Sequence, residues 1–455
     1  MSQQLFSEFG TVTAKQWKQD IQANLYGADY NSTLVWQGLE GINVKPFYHP
    51  DHFSKPFPPV PGHPVSWGIA QHIFMDEENT AKQLTIKAVK GGAETIIFTA
   101  EKNFDFKALF DNFDFLKVEI QFHFNFFDKQ FFEQLFQFLE EKKATVHYNL
   151  DPIGHLAATG NWFKNQTEDF ALLDRFTQNP RSKNILGVGA ATYQNAGANC
   201  VQQLAYAVGH AHEYIARAVN AKNSTVAFNV AVGSNYFFEI AKIRALRSLY
   251  ALIATQYGLG PHCHITTTPT KRNKTLYGYN VNMLRTTTEC MSAILGGANT
   301  VGNLPYDVLY HKSNDFGERI SRNQLLILKN ESYFNTVSNP ADGAYYIESL
   351  TSQMAEKALK LFKEMEASGG FLNQLFEGTV QKKIAGAAQK EQQLFNDGTL
   401  KLVGKNSHPN KNDTIKNELQ LQPFKKTQPR TTRIPPITPI RLAENHEQNR
   451  LKNET

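Results

Sequence analysis

The sequence predicts an α/β protein built on a (β/α)8 TIM-type barrel that is extended at both ends. Eight short β-rich runs alternate with helical patterns, which is the order that a parallel barrel requires. The chain has 455 residues, which suits one barrel with an N-terminal arm and C-terminal additions. We therefore predict three parts: an arm over residues 1–60, the barrel with appended helices over 61–404, and a tail over 405–455.

The strand predictions follow the chain from one turn signal to the next. The eight runs lie at about 66–74, 94–99, 116–123, 144–150, 185–190, 225–231, 262–267 and 299–304. A helix between the first two strands has Asp76 as its predicted N-cap and ends at Gly91-Gly92. The later helical patterns cover about 195–221, 235–257, 279–297 and 316–331.

The segments outside the barrel differ in composition. The arm contains one helical pattern at about 13–25, followed by an extended stretch interrupted by proline. Residues 345–369 predict an amphipathic helix, since apolar residues recur there at steps of three and four. Beyond about residue 404 the chain is rich in Asn, Lys, Gln, Thr and Pro, which predicts an extended tail without a core of its own.

Composition excludes several classes of protein. No run approaches the eighteen apolar residues of a membrane span, and the N-terminus lacks a basic start followed by an apolar stretch, so we expect a cytoplasmic protein without a membrane partner. Three widely spaced cysteines suggest neither disulfides nor a cysteine zinc site. Residues 401–455 hold 11 Lys/Arg and 5 Asp/Glu, whereas the rest holds 36 and 37, so the body predicts no nucleic-acid partner. The basic tail either docks on an acidic partner or is a solvated linker.

Phenylalanine is concentrated in one segment. Thirteen of the 33 phenylalanines fall between Phe104 and Phe138. We interpret them as barrel core with its helical backing, and the alternative is an apolar patch that faces a partner.

A barrel of this type places its active site at the C-terminal ends of the strands. The sequence offers few chemical groups there, and they are Gln71, His72, Ala190 to Tyr193, His262, His264 and the run Pro305 to Asp307. His262 and His264 point the same way on a strand, but two ligands do not complete a metal site, and spacing gives no third. We therefore predict that these histidines line a pocket and hold no metal.

Other candidates carry less chemistry. Asp151 is the one carboxylate at a predicted strand end, and Asp151-Pro152 is also typical of a turn. His210 and His212 lie on a predicted helix and are interpreted as surface and packing residues. No glycine pattern matches a dinucleotide or phosphate loop. The residues alone thus predict a barrel without an obvious acid–base set.

Four segments resemble the adenosylcobalamin-dependent acyl-CoA mutases, methylmalonyl-CoA mutase in particular. They occur in family order and are LEGINVKPFY (39–48), FEIAKIRA (238–245), VNMLRTTTECMSAILGG (281–297) and DGAYYIESLT (342–351). The resemblance runs from about residue 12 to residue 404. It implies a barrel that acts on acyl-CoA thioesters together with a cobalamin cofactor.

The departures from the family pattern fall at the positions of its catalytic residues. Ala70 and His72 stand where the resemblance implies an arginine and a tyrosine, and Ala191 and Thr192 replace a tyrosine and a histidine. In a third run His262 is kept, but His264 replaces a glutamine. Loss of the arginine would remove a bidentate clamp for a carboxylate, and loss of the histidine would remove a general acid. Gln71, Tyr193 and His262 remain as candidates for a vestigial pocket.

The resemblance therefore implies the small, non-catalytic subunit of a methylmalonyl-CoA mutase, paired with a larger catalytic chain. No Asp-x-His-x-x-Gly run, which would ligate cobalt, occurs in the sequence, so we expect no cobalamin-binding domain and place adenosylcobalamin on the partner. A catalytic acyl-CoA mutase barrel that works with a separate cobalamin chain is the alternative. A barrel that binds CoA only as a regulator is a third hypothesis.

Overall fold

The N-terminal arm packs against the barrel through short elements. The computed structural model describes residues 8–178, 184–217, 225–425 and 430–454, so residues 1–7 of the predicted arm lie outside the described part. The first helix begins after Thr13, as the sequence predicts, and the Thr13 hydroxyl caps it by accepting a hydrogen bond from the backbone amide of Gln16. The elements of the arm are helices α1 (Ala14–Asn24) and α2 (Tyr30–Leu34) and antiparallel strands β1 (Trp36–Gln37) and β2 (Asn43–Val44).

All eight predicted barrel strands are present. They are β3 (Gly68–Met75), β4 (Thr95–Ala100), β5 (Glu119–Phe124), β6 (Val146–His147), β7 (Gly187–Val188), β8 (Ala227–Val232), β9 (His264–Pro269) and β10 (Thr300–Gly302). The strands are parallel in the order β6-β5-β4-β3-β10-β9-β8-β7. A parallel bridge between Leu150 and Leu186 joins the two outer strands and closes the barrel.

Helices connect the strands and cover the barrel. They are α3 (Glu78–Lys90), α4 (Phe106–Leu109), α5 (Lys129–Glu141), α6 (Pro152–Thr159), α7 (Gln166–Thr177), α8 (Ala191–Asn195), α9 (Cys200–Arg217), α10 (Tyr236–Gln256), α11 (Val281–Leu295) and α12 (Asp315–Asn330). The prediction of Asp76 as an N-cap is wrong, because α3 follows Glu77 and has no side-chain cap. The helix predicted from residue 195 begins at Cys200, and its predicted end at 218–221 lies outside the described residues. None of the described helices is long and apolar enough to cross a bilayer.

Three further helices stack on one side of the barrel. They are α13 (Tyr345–Ala367), α14 (Gly370–Phe376) and α15 (Thr379–Asn396). The predicted amphipathic helix is confirmed as α13, whose apolar stripe packs on α9 and α10. Because α13 and α14 cover α9, that helix is buried on more than one face.

The described part of the tail is not a solvated linker. Its residues Ile434 and Ile437 are buried against the barrel core, and their amides donate to the carbonyls of Gly160 and Ala157 at α6. Arg441 forms a buried ion pair with Glu447, which lies in a last helix, α16 (Glu444–Lys452). The described part of the tail therefore completes the packing of the chain's own barrel.

The phenylalanine-rich segment forms core, and the core interpretation is confirmed. Most of its rings are buried between β4, β5 and α5, with ring centroids commonly 5–6 Å apart in stacked or edge-on pairs. Phe132 is fully buried and contacts the rings of Phe124, Phe136 and Phe176.

Candidate functional site

A cavity opens at the C-terminal ends of the strands, and we call it the upper cavity. Its volume is about 550 Å³. Its walls come from five strands, the start of α8 and the loops after β9 and β10, and Leu421 of the tail reaches its rim. Such a mouth is where barrels of this type bind ligands.

His72 faces this cavity from β3. Its Nε2 lies 3.0 Å from the hydroxyl oxygen of Thr268 on β9. Burial lowers the pKa of His72 to about 3, and the neighbouring His123 and Lys271 act in the same direction. The imidazole is therefore neutral at physiological pH, and it offers a hydrogen bond but no positive charge.

Gln71 is buried and both ends of its amide are already bonded. Its nitrogen donates to the carboxylate of Glu318 on α12, and its oxygen accepts from Arg322 Nη1 at 3.0 Å. Ser313 also donates to Glu318, at 2.9 Å. Gln71 thus joins β3 to α12 at the edge of the upper cavity, and its amide is not free for a ligand.

The loops and β5 add further groups to the cavity, and two of them, Lys271 and His123, are not among the candidates predicted from the sequence. Lys271 follows β9, and desolvation around its ammonium lowers its pKa. Asp307 follows β10, as the predicted Pro305 to Asp307 run implies, and it accepts from His311 Nδ1 at 3.0 Å and from Asn314 at 2.7 Å. His123 on β5 could have been found, because Glu119, Gln121 and His123 alternate with apolar residues.

The positions that depart from the family pattern mostly lie near this mouth. Ala70 is buried in β3, and Ala191 lines the cavity at the start of α8. Thr192 is partly buried beside it but is not among the lining residues. Tyr193 is fully buried and does not line the cavity, so the prediction of Tyr193 as a pocket residue is wrong.

Tyr193 instead belongs to a buried hydrogen-bond network under α9. Its hydroxyl lies 2.9 Å from His210 Nδ1, and His210 Nε2 lies 2.8 Å from Asp151. Asp151 also accepts from the Tyr214 hydroxyl and from the amide of Gly154, which it caps. Burial acts to raise the pKa of Asp151, but His210 and these hydrogen bonds outweigh it and hold the pKa below its usual value. Of the two histidines interpreted as surface and packing residues, His210 is a fully buried packing residue, and Asp151 has a structural role as the cap of its turn.

His262 and His264 lie at the opposite end of the barrel from the upper cavity. His264 is the first residue of β9, and the exposed His262 precedes that strand and contacts Gly62. The expectation that they line a pocket at the active face is therefore wrong. His264 instead lies beside Glu119 and His147, two residues that spacing along the sequence did not connect with it.

The segments that carry the family resemblance are held together by buried charges. Arg244 on α10 donates to Glu348 at 2.7 Å and also pairs with Asp342, so two resembling segments bind each other. Lys242 pairs with Glu239 and donates to the carbonyl of Ala231 at 2.8 Å. These residues serve packing between α10, α13 and the barrel, away from the cavity.

A closed parallel barrel with a cavity at its mouth and a stack of extra helices defines a TIM-barrel protein whose ligand sites would lie on strand-end loops. The chain belongs to the methylmalonyl-CoA mutase family, because the family model of that description matches residues 99–453. The match continues through the tail, beyond the limit at residue 404 that the motifs suggested.

Named relatives agree with the family model. The chain is 32% identical to the methylmalonyl-CoA mutase small subunit of Porphyromonas gingivalis over 449 residues, which cover 90% of this chain and 71% of that protein. It is 27% identical to the small subunit of Propionibacterium freudenreichii subsp. shermanii, covering 86% and 68%. The methylmalonyl-CoA mutase of Escherichia coli matches at 30% identity over half of this chain, and the match spans 33% of that protein.

Proposed function

We propose that this chain is the small, non-catalytic subunit of a methylmalonyl-CoA mutase, and that it supports a larger chain that carries adenosylcobalamin. The larger chain would interconvert (R)-methylmalonyl-CoA and succinyl-CoA. The observation that carries the proposal is the chemistry of four positions in or beside the upper cavity. Ala70, His72, Ala191 and Thr192 supply no positive charge and no acidic proton where the family resemblance implies both.

The described residues do not fit a corrin cofactor. The upper cavity has the volume of a site for a drug-sized molecule, and a corrin with its side chains is much larger. Of the histidines that reach the cavity, His72 is engaged with Thr268 and His311 with Asp307, whereas His123 has a buried Nε2 without a hydrogen-bond partner among the described residues. We therefore derive no step on this chain through cobalamin and assign the cofactor to the partner.

The arm offers a surface for that partner. Trp36 and Phe237 are about half exposed although they lie where the arm meets the start of α10, and Tyr345 at the start of α13 is exposed beside Phe53. Large apolar side chains that are exposed to solvent beside a well-packed part of the fold are typical of protein interfaces. The arm would thus extend the contact area of the subunit.

Native mass spectrometry of the tagged chain from its host, with cobalt measured on the same sample, tests the assignment. We expect a one-to-one complex with a chain larger than this 51.4 kDa protein, and we expect the cobalt on that partner. Co-purification with a small cobalamin-binding chain alone would favour the alternative, a catalytic acyl-CoA mutase barrel, because the chemistry would then have to occur here.

Substitutions in and beside the upper cavity test the inactive site directly. We expect His72→Ala or Thr192→Ala in the assembled complex to leave kcat/KM within about twofold of wild type, because neither change removes a transition-state contact. Steady-state assays of the reconstituted complex measure this. A hundredfold fall with either variant would contradict the proposed structural role.

A further inference from the structure

Three potential metal ligands converge inside the barrel at the end opposite the upper cavity. Glu119 begins β5, His147 ends β6 and His264 begins β9, and we call these residues the lower cluster. Glu119 Oε1 lies 3.8 Å from His147 Nε2 and 3.9 Å from His264 Nε2. The two imidazole rings are tilted by 40° to each other, with their centroids 3.9 Å apart. Among the described residues this is the one group of three or more ligand side chains close enough to share an ion.

The hydrogen bonds around the lower cluster differ between its two histidines. His264 Nε2 lies 3.2 Å from the amide nitrogen of Gln121 and 3.0 Å from the hydroxyl oxygen of Thr300. Because the amide nitrogen only donates, His264 Nε2 is an acceptor, and an ion would take the lone pair that this amide now uses. His147 is about nine-tenths buried, and its Nδ1 has no hydrogen-bond partner among the described residues. Its Nε2 is too far from Glu119 for a hydrogen bond. A buried imidazole without partners is costly unless something else binds it.

The charge balance also calls for a cation. In the described part of the chain, no lysine or arginine lies within ion-pair distance of Glu119, whose neighbours are the two histidines and Gln121. A partly buried carboxylate that no ammonium or guanidinium group of the described residues reaches is a place where a bound cation would supply the counter-charge.

We propose that Glu119, His147 and His264 bind a divalent transition-metal ion, with Zn²⁺ as the expected occupant. Two imidazoles and one carboxylate form a donor set that suits Zn²⁺ and leaves one position for water. Ligand atoms around tetrahedral Zn²⁺ lie about 3.3 Å apart, since the bonds are about 2.0–2.1 Å long. The observed separations of 3.8 and 3.9 Å therefore close with shifts of a few tenths of an ångström.

The lower cluster is accessible to solvent and spans the barrel. The exposed fractions are 25% for the Glu119 side chain and 13% for that of His264, so a hydrated ion has a path of entry. β9 is not a neighbour of β5 or β6 in the sheet. A bound ion would thus link opposite walls of the barrel, and it would raise the stability of the folded chain by mass action.

Metal binding by the purified full-length chain tests the proposal. Zn²⁺ is titrated in competition with a chromophoric chelator, and Co²⁺ is titrated while visible d–d absorption is recorded. We expect one equivalent of Zn²⁺ to bind and to raise the midpoint of thermal unfolding. We expect Glu119→Gln and His264→Gln each to weaken that binding at least about 100-fold, because loss of a ligand costs no less than loss of its supporting contacts.

His262→Gln is the matched control, because His262 is an exposed histidine two residues from His264. It should bind Zn²⁺ as the wild type does. Equal binding by the wild type and both cluster variants would overturn the proposal, and so would loss of binding in His262→Gln alone. If a cluster variant does not fold, the wild-type Co²⁺ spectrum decides: bands of a four- or five-coordinate nitrogen-ligated ion support the site, and their absence refutes it.

Discussion

Glu289→Gln should lower the free energy of unfolding by about 3–5 kcal/mol, because it leaves an uncompensated charge in the interior. Glu289 and Lys274 are both buried, and Lys274 Nζ lies 2.7 Å from Glu289 Oε2. Burial lowers the pKa of Lys274, and Glu289 counteracts that effect. Asn273 also donates to the same carboxylate, at 2.6 Å. Chemical denaturation of the purified full-length chain measures the change.

The control for this prediction is an ion pair at the surface. Asp315→Asn removes the partner of Lys87, and both side chains are mostly exposed, so we expect a much smaller change. A double variant, Lys274→Met with Glu289→Leu, removes both charges and should recover much of the stability that Glu289→Gln loses. If Glu289→Gln unfolded at the wild-type denaturant concentration, the pair would not be the buried, coupled pair described above.

Truncation after Gly404 should prevent the chain from folding to a stable, soluble form. The truncation removes four large or branched side chains that are buried against the rest of the chain, namely Ile415, Ile434, Ile437 and Leu442. At about 1.5–3 kcal/mol each, their burial is worth about 6–12 kcal/mol, which is comparable to the whole stability of a typical protein. Soluble yield and thermal unfolding of the truncated chain measure the effect.

Point variants in the tail distinguish a role in packing on the chain's own barrel from a role in binding a partner. Ile437→Ala should cost about 2–4 kcal/mol, whereas Lys411→Gln at an exposed position of the tail should be neutral. If the truncated chain folded normally and lost only its partner, the tail would be a binding segment, as its basic composition first suggested, rather than part of the barrel's packing.

The sequence predicted the eight strands because each is a short β-rich run between turn signals. The same turn signals define the ends of a strand less well than its presence, and His262 and His264 were misplaced for this reason. The seventh strand was predicted over 262–267 but covers His264–Pro269, and a shift of two residues moves a side chain from one level of the barrel to another. His72 and Asp307 lie at the mouth of the barrel, although the bounds of β3 and β10 also differ from the predicted ones by one or two residues.

Other features could not be predicted from local pattern. His210 lies on a helix that is covered by α13 and α14, which follow it by more than a hundred residues. The lower cluster joins three strands that are distant in the sequence, so no spacing identifies it. The tail is polar on average, so its composition does not indicate that Ile434 and Ile437, which lie among prolines, are buried against the barrel.

We expect local unfolding of the barrel to begin where β6 and β7 close it. β3 and β4 are paired over six residues, but the two closing strands are two residues long and share one bridge. Three backbone hydrogen bonds, from Tyr148, Leu150 and Gly187, cross that junction. The barrel is thus a curved sheet whose two edge strands meet at a weak junction. We expect thermal motion to separate β6 from β7 at a lower free-energy cost than it separates β3 from β4. Opening at this junction would leave one curved sheet of eight strands with β6 and β7 as its exposed edges.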